Sequence, residues 1–291
     1  DDIKLRAHLS RIEDLKISLD QGDVFDSLTN QRLNHQKCTL TCSDFKKAKS
    51  AMSQLDFSGS FAYVTKSLGF TVATTRKHYR SRQNDRTLEA LAVVQKIECA
   101  PDSKRLRFNL VQACAIPKMT YGVQIVLPAD KILNRLRTAI IKTLFSFTRS
   151  MREPNVVAGI LFSPHKIEPK SAVVFICILA FYEIAHGDAE IRDLACNIWG
   201  GVCVKKIPGP LFALWGSFKF LHWTPEGSPW VVSRPGDVTL SFTKVDRGCF
   251  VAEVVRSLRW ALCNRVPNRP DFVGLRGNFV AFTATTAITH A

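Results

Sequence analysis

Apolar residues recur along this chain at two spacings, and the spacing switches several times. Ile3, Leu5 and Ala7 alternate with Lys4 and Arg6, the period of a strand. Ser10 and Glu13 then form a capping box, in which each end of the motif satisfies an amide of the other. Ile12, Leu15 and Leu19, followed by Val24, Phe25 and Leu28, give a helical stripe that Gln21-Gly22-Asp23 weakens midway. This helix is expected to pack under a sheet. The run Cys38-Thr39-Leu40-Thr41-Cys42 predicts a short strand, residues 43–55 predict a short amphipathic helix, and the β-rich run 63–72 predicts a strand with Gly69 inside it. Glycine within a strand marks a bulge or the close approach of another backbone.

Three helical patterns follow. Leu88, Leu91, Val94 and Ile97 make the first stripe, and Leu106, Leu110, Val111 and Cys114 the second, which ends before Pro117 because proline breaks a helix interior. The third runs over 129–147, with Leu133, Leu136, Ile140 and Leu144 facing inward and Lys131, Arg135 and Lys142 on another side. Pro128 marks its start, where proline is tolerated. Residues 154–162 suggest a short helix and 163–169 a turn. Residues 172–182 are an apolar run of 11, well short of the roughly 20 that span a bilayer. They predict a buried helix ending near Glu183 and His186, and no membrane partner. Residues 200–236, rich in Pro and Trp, read as irregular connection, residues 250–265 as another amphipathic helix, and the tail from Asn278 as β-like. The fold class is α+β and mostly helical.

Charge sharpens this outline. Of 291 residues 46% are hydrophobic and 22% charged, a globular profile, with net charge +15. Residues 1–75 hold ten Lys/Arg against nine Asp/Glu, residues 76–152 hold 16 against five, and residues 153–291 hold 14 against 11. Most of the excess therefore lies in one block, the footprint of a phosphate-binding surface. That block opens on Arg76, Lys77, Arg80 and Arg82, with Tyr79 among them, and continues through Lys131, Arg135 and Lys142.

Nine cysteines raise the question of zinc, and their spacing answers it. Cys38 and Cys42 are separated by three residues, Cys196 and Cys203 by six, and no CxxC occurs. Free, buried thiols in a reducing compartment are expected, which implies an intracellular protein, nuclear or cytoplasmic. Seven scattered histidines form no HExxH, and there is no P-loop, GxSxG, or GxGxxG after a strand.

The chain opens on Asp1-Asp2. Adjacent side chains on a regular strand point to opposite faces, so both carboxylates serve one site only at a tight turn. Such a pair suits Mg²⁺, which takes one or two protein carboxylates and leaves its other positions to water and phosphate. Asp1-Asp2, then Leu33-Asn34-His35-Gln36-Lys37-Cys38, then Ser67-Leu68-Gly69-Phe70, in this order and spacing, resemble the last half of the palm of non-LTR (LINE-type) retrotransposon reverse transcriptases. The resemblance covers about residues 1–170. It implies a partial palm (hairpin, helix, short strands) at 1–75, a helical basic thumb at 76–165 and a helical extension of unknown role at 166–291. Asp1 and Asp2 would be the catalytic metal ligands for two Mg²⁺, Asp1 the more direct one. Lys37 would donate a proton to departing pyrophosphate, and Leu68-Gly69 would lie at the primer grip. Ser67 stands where the family usually has an aromatic.

The resemblance further implies RNA template, DNA primer and deoxynucleoside triphosphates as partners, and the rest of a parent polyprotein upstream. The chain by itself is expected to be an inactive part of the polymerase. Two other readings stay open: a non-catalytic basic helical module that binds RNA or DNA, and a reverse transcriptase of the intron-encoded or bacterial type.

Overall fold

The computed structural model describes residues 12–29, 38–41, 44–56, 59–67, 70–73, 80–100, 103–145, 155, 158–159, 162–200, 209–236 and 238–265. The protein is mostly helical with a few short strands, and it divides into two units, residues 1–82 and 83–291. The boundary at 165/166 read from the sequence falls inside the second unit.

In the first unit, helix α1 runs unbroken over Ile12–Thr29, through the weak point at Gly22. Val24 and Leu28 are 59% and 80% exposed, so these two positions of the expected stripe are not packed. Strand β1 (Thr39–Leu40) pairs in parallel with β2 (Ser60–Phe61), and helix α2 (Phe45–Gln54) makes the crossover between them. Asp44 caps α2 by accepting from the amide of Lys46 at 2.9 Å, and Ala48, Ala51 and Leu55 form its buried stripe. The run expected as one strand is an antiparallel pair, β3 (Val64–Ser67) and β4 (Phe70–Ala73), in which Ser67 faces Phe70.

The second unit begins with three helical passes. Helix α3 spans Ser81–Glu98. The second pass is α4 (Lys104–Leu110), a wide π turn (Val111–Ala115) and α5 (Ile116–Thr120), and the third is α6 (Asp130–Phe145). Their directions follow from side-chain ties. Asn84 accepts from the amide of Ala129 at 2.9 Å, and Glu98 pairs with Lys142 at 3.1 Å, so the starts of α3 and α6 adjoin and so do their ends. Gln83 donates to the carbonyl of Met119 at 2.6 Å, and Arg107 to those of Ala100 and Thr143 at 2.9 and 3.3 Å. The middle pass therefore runs against its two neighbours.

Pro117 does not end that middle pass, contrary to the sequence expectation. Its ring would press on the carbonyl four residues back in a regular helix. The π turn relieves the clash: the amide of Ile116 reaches five residues back to the carbonyl of Val111, and the backbone opens just ahead of the proline. Val111, Ala115, Ile116 and Met119 are buried and hold the kinked pass in place, whereas Leu106 and Cys114, expected inward, are exposed.

Helix α7 (Pro164–Ile167) and the long α8 (Pro169–His186) follow directly, where a turn was expected at 163–169. Buried Glu168 caps α8 by accepting from the amide of Ser171. By length and composition α8 could cross a membrane, yet more than half of it is buried within the unit. Helices α9 (Ala189–Trp199), α10 (Pro210–Leu221) and α11 (Arg247–Cys263) follow. Between α10 and α11 lies a three-stranded antiparallel meander, β5 (Thr224–Pro225), β6 (Val231–Arg234) and β7 (Val238–Ser241); α10, β5 and β6 thus replace the irregular connection expected at 200–236. Val232 and Leu240 face each other across it and are buried. Tyr182 stacks on Phe250 with ring centroids 4.3 Å apart, and Phe242 meets Phe250 edge-on at 4.8 Å.

One half-buried ionisable group sets a pH dependence. His165 stacks on Phe175 at 4.4 Å, and burial, with help from Lys166 and Arg259, holds its imidazole down to about 4. The unfolded imidazole titrates near 6.5. Below that pH the unfolded chain gains a proton that the folded one refuses, so stability is lost as pH falls from about 6.5 towards 4. His165→Phe keeps the stack and removes the proton. Thermal unfolding from pH 8 to 4 is expected to show the wild type losing Tm relative to this variant below about 6.5; a constant difference across that range rules out the assignment.

Candidate nucleic-acid interface

The sequence-predicted catalytic and primer-grip positions, Asp1, Asp2, Lys37, Leu68 and Gly69, lie outside the described residues, as do Arg76 and Lys77. Among the described residues no cluster of three or more His, Cys, Asp or Glu could hold a metal ion. The described part of the candidate site is therefore the basic face of the three-pass layer.

That layer sorts its cations into two kinds. Arg107 ties the end of α3 to α6 through two backbone carbonyls. Arg137, on α6, donates from Nη2 to Asn155 at 2.5 Å and lies 3.8 Å from the carboxylate of Glu168. Arg86 donates to the carbonyl of Tyr121 at 2.8 Å. Lys118 pairs with Glu89 at 3.2 Å, on the surface. These side chains join helix to helix, and their contribution is structural before it is anything else.

The second kind faces solvent. Lys131 and Arg135 are exposed and make no ion pair among the described residues; Lys96, Lys104 and Arg105 are likewise exposed. Sequence reasoning singled out the first two, since they share a face with Lys142 on an amphipathic helix. It passed over the other three, which carry no periodic signal. Along α6, Lys131, Arg135 and Lys142 fall within about 40° of one another, in a row roughly 16 Å long. Leu133, Leu136, Ile140 and Leu144 are buried on the inner side of α6, as expected. Lys142 is the exception in the row, since it pairs with Glu98 at 3.1 Å while remaining 47% exposed. Exposed pairs of this kind contribute about 0–1 kcal/mol, so a phosphate can replace the carboxylate at small cost. Arg80 is exposed and Arg82, in the first turn of α3, is half-buried.

A row of about 16 Å matches roughly four to five base steps of a nucleic-acid strand, and cations at that spacing meet several phosphates without reading sequence. Elsewhere the unit also uses cations internally. Arg234 and Arg256 share the largely buried Glu253, and burial lowers the pKa of Arg234. The described cysteines are free: Cys177 and Cys263 are buried, whereas Cys99, Cys114 and Cys249 are exposed. Burial pushes the Cys177 thiol up to about 12, which keeps it protonated and unreactive. Comparison with known proteins returns no family model, no curated protein and no solved structure that matches this chain.

Proposed function

We propose that the chain is part of an RNA-directed DNA polymerase of the non-LTR retrotransposon type, with residues 76–165 gripping the primer–template duplex as a thumb does. What carries this proposal is the basic row on α6, two of whose cations stand open to solvent, following in the sequence the patches Asp1-Asp2, Lys37 and Leu68-Gly69. A helix and short strands, the kinds of element expected of a partial palm besides the hairpin at Asp1-Asp2, occur at 39–61. In the complete enzyme two Mg²⁺ at Asp1 and Asp2 would neutralise charge on the phosphoryl group, and Lys37 would supply the leaving-group proton. RNA template, DNA primer and deoxynucleoside triphosphates are the partners this function requires. An intracellular location, nuclear or cytoplasmic, goes with it.

A second reading uses the same surface without chemistry. The row Lys131, Arg135 and Lys142 belongs to the unit 83–291, so a non-catalytic nucleic-acid-binding module would need none of the candidate catalytic residues. Both readings expect binding with little sequence preference and a steep fall with salt, because neutralised phosphates release counterions. Replacing Lys131, Arg135 and Lys142 with Ala is expected to lower the slope of log K against log salt by about one for each phosphate no longer neutralised, roughly three in all. Fluorescence titration of a labelled duplex at several salt concentrations measures it. An unchanged slope would mean that the row is merely solvated.

A further inference from the structure

Helix α9 turns its most apolar row outward. Ile191, Leu194 and Ile198 are 50%, 57% and 46% exposed. At about 100° per residue they fall within about 60° of one another, in a row roughly 10 Å long. Other residues hold the side that faces the unit. Ala195 is buried and Trp199 packs against the core. The indole of Trp230 donates to the sulfur of Cys196 at 2.9 Å, and Arg192 donates to the carbonyl of Ala185 at 3.1 Å. These ties keep the helix from rolling its apolar row inward. Beyond the row, on the flank away from Ala195, stand Glu190 and Asp193, both exposed and without an ion pair among the described residues. Arg192 is the one cation of α9 and is held at that carbonyl, so the outer face is acidic on a chain of net charge +15.

We propose that this face is the docking site of another polypeptide, an amphipathic helix with a row of Leu or Ile and with Lys or Arg along one flank. Helix-on-helix docking uses anchors at i, i+3 and i+7, the spacing of Ile191, Leu194 and Ile198. Charge then selects the occupant. Glu190 and Asp193 attract a basic flank and repel a nucleic acid, which sets this face apart from the basic row on α6. A second copy of this chain fits poorly. Two α9 helices meeting antiparallel about a two-fold axis bring like flanks together, so Glu190 and Asp193 would face the same acids of the other copy. The row is short, and docking on it is weak and reversible.

The probe is a synthetic peptide of about 18 residues, with Leu at alternating third and fourth positions and Lys along one flank, long enough to form a helix when bound. Amide-shift mapping on the whole chain is expected to move resonances within 189–199 and to leave those within 131–142 in place. Replacing Leu194 and Ile198 together with Ser is expected to weaken binding about tenfold, since docking buries roughly half of each side chain. Glu190→Lys with Asp193→Lys keeps the apolar row. It is expected to weaken the same peptide about three- to tenfold and to strengthen one carrying Glu in place of Lys by a similar factor. Both variants change only exposed side chains, so each folds as the wild type does. Shifts centred on another element overturn the docking site, as does equal affinity of the wild type and the Ser variant. So does an unchanged preference between the two peptides after the charge swap. A wild-type dimer in sedimentation that the Ser variant dissolves overturns it too, and assigns the row to a second copy.

Discussion

Asp1→Asn is expected to abolish DNA synthesis when this chain follows the rest of the palm in a complete polymerase, while primer–template binding persists. Phosphoryl transfer asks little covalent work of the protein. It asks for charge neutralised on the transferring group and for reactants held in line. Metal ions held by carboxylates supply several kcal/mol of that stabilisation, which corresponds to about 10³-fold or more in rate. Asn keeps the size of the side chain and removes its charge, so the loss falls on the transition state and spares the bound ground state. Lys37→Ala is expected to slow the chemical step as well, within the roughly 10²–10⁴-fold range of a general acid. Single-turnover primer extension measures the step without product release. Wild-type rates in Asp1→Asn would end the assignment of the pair and leave the non-catalytic binding module. The basic row on α6 is separate from this test, since its cations act on affinity and its salt dependence.

Phe250→Ala is expected to destabilise the second unit by about 3–5 kcal/mol, the usual cost of emptying a buried aromatic site. Phe250 is fully buried, and its ring lies 4.3 Å from that of Tyr182 and 4.8 Å from that of Phe242. Three elements meet at this point: α8, the end of the meander and α11. Tyr182 is pinned by its hydroxyl, which donates to the carbonyl of Val245 at 2.9 Å, so the site cannot collapse easily around the smaller residue. For a unit of this size, each kcal/mol moves Tm by roughly 2–4 °C, which predicts a fall of about 6–20 °C. Leu106→Ala is the control. The sequence pattern assigns Leu106 inward, yet it is 41% exposed, and its replacement is expected to cost no more than about 0.5 kcal/mol. Comparable losses in the two variants would contradict the packing around α8.

Much of the second unit was legible in the chain alone. Leu133, Leu136, Ile140 and Leu144 are buried as their spacing requires, and residues 172–182 lie in a helix that is mostly buried. In both cases the apolar pattern agrees with a long element, and one regular helix can satisfy it. Charge was legible too, since Lys131, Arg135 and Lys142 share a helix face by spacing alone. Residues 1–7, 37 and 68–69, on which the polymerase resemblance rests, lie outside the described residues.

Where the sequence determined the outcome, the deciding physics was local: helical period, an N-cap such as Asp44, and like charges on one face. Tertiary structure decided whatever depended on a partner distant in the chain. It carried the middle pass through Pro117, because burying Ile116 and Met119 outweighs one irregular turn. It made strands of residues 224–241, because Val232 and Leu240 find each other only across the meander. It separated the basic residues into those that join helices, such as Arg107 and Arg137, and those left to solvent, such as Lys131 and Arg135. A guanidinium has the same charge in either place. Whether a carbonyl or carboxylate stands within reach of it is settled only when the helices are packed.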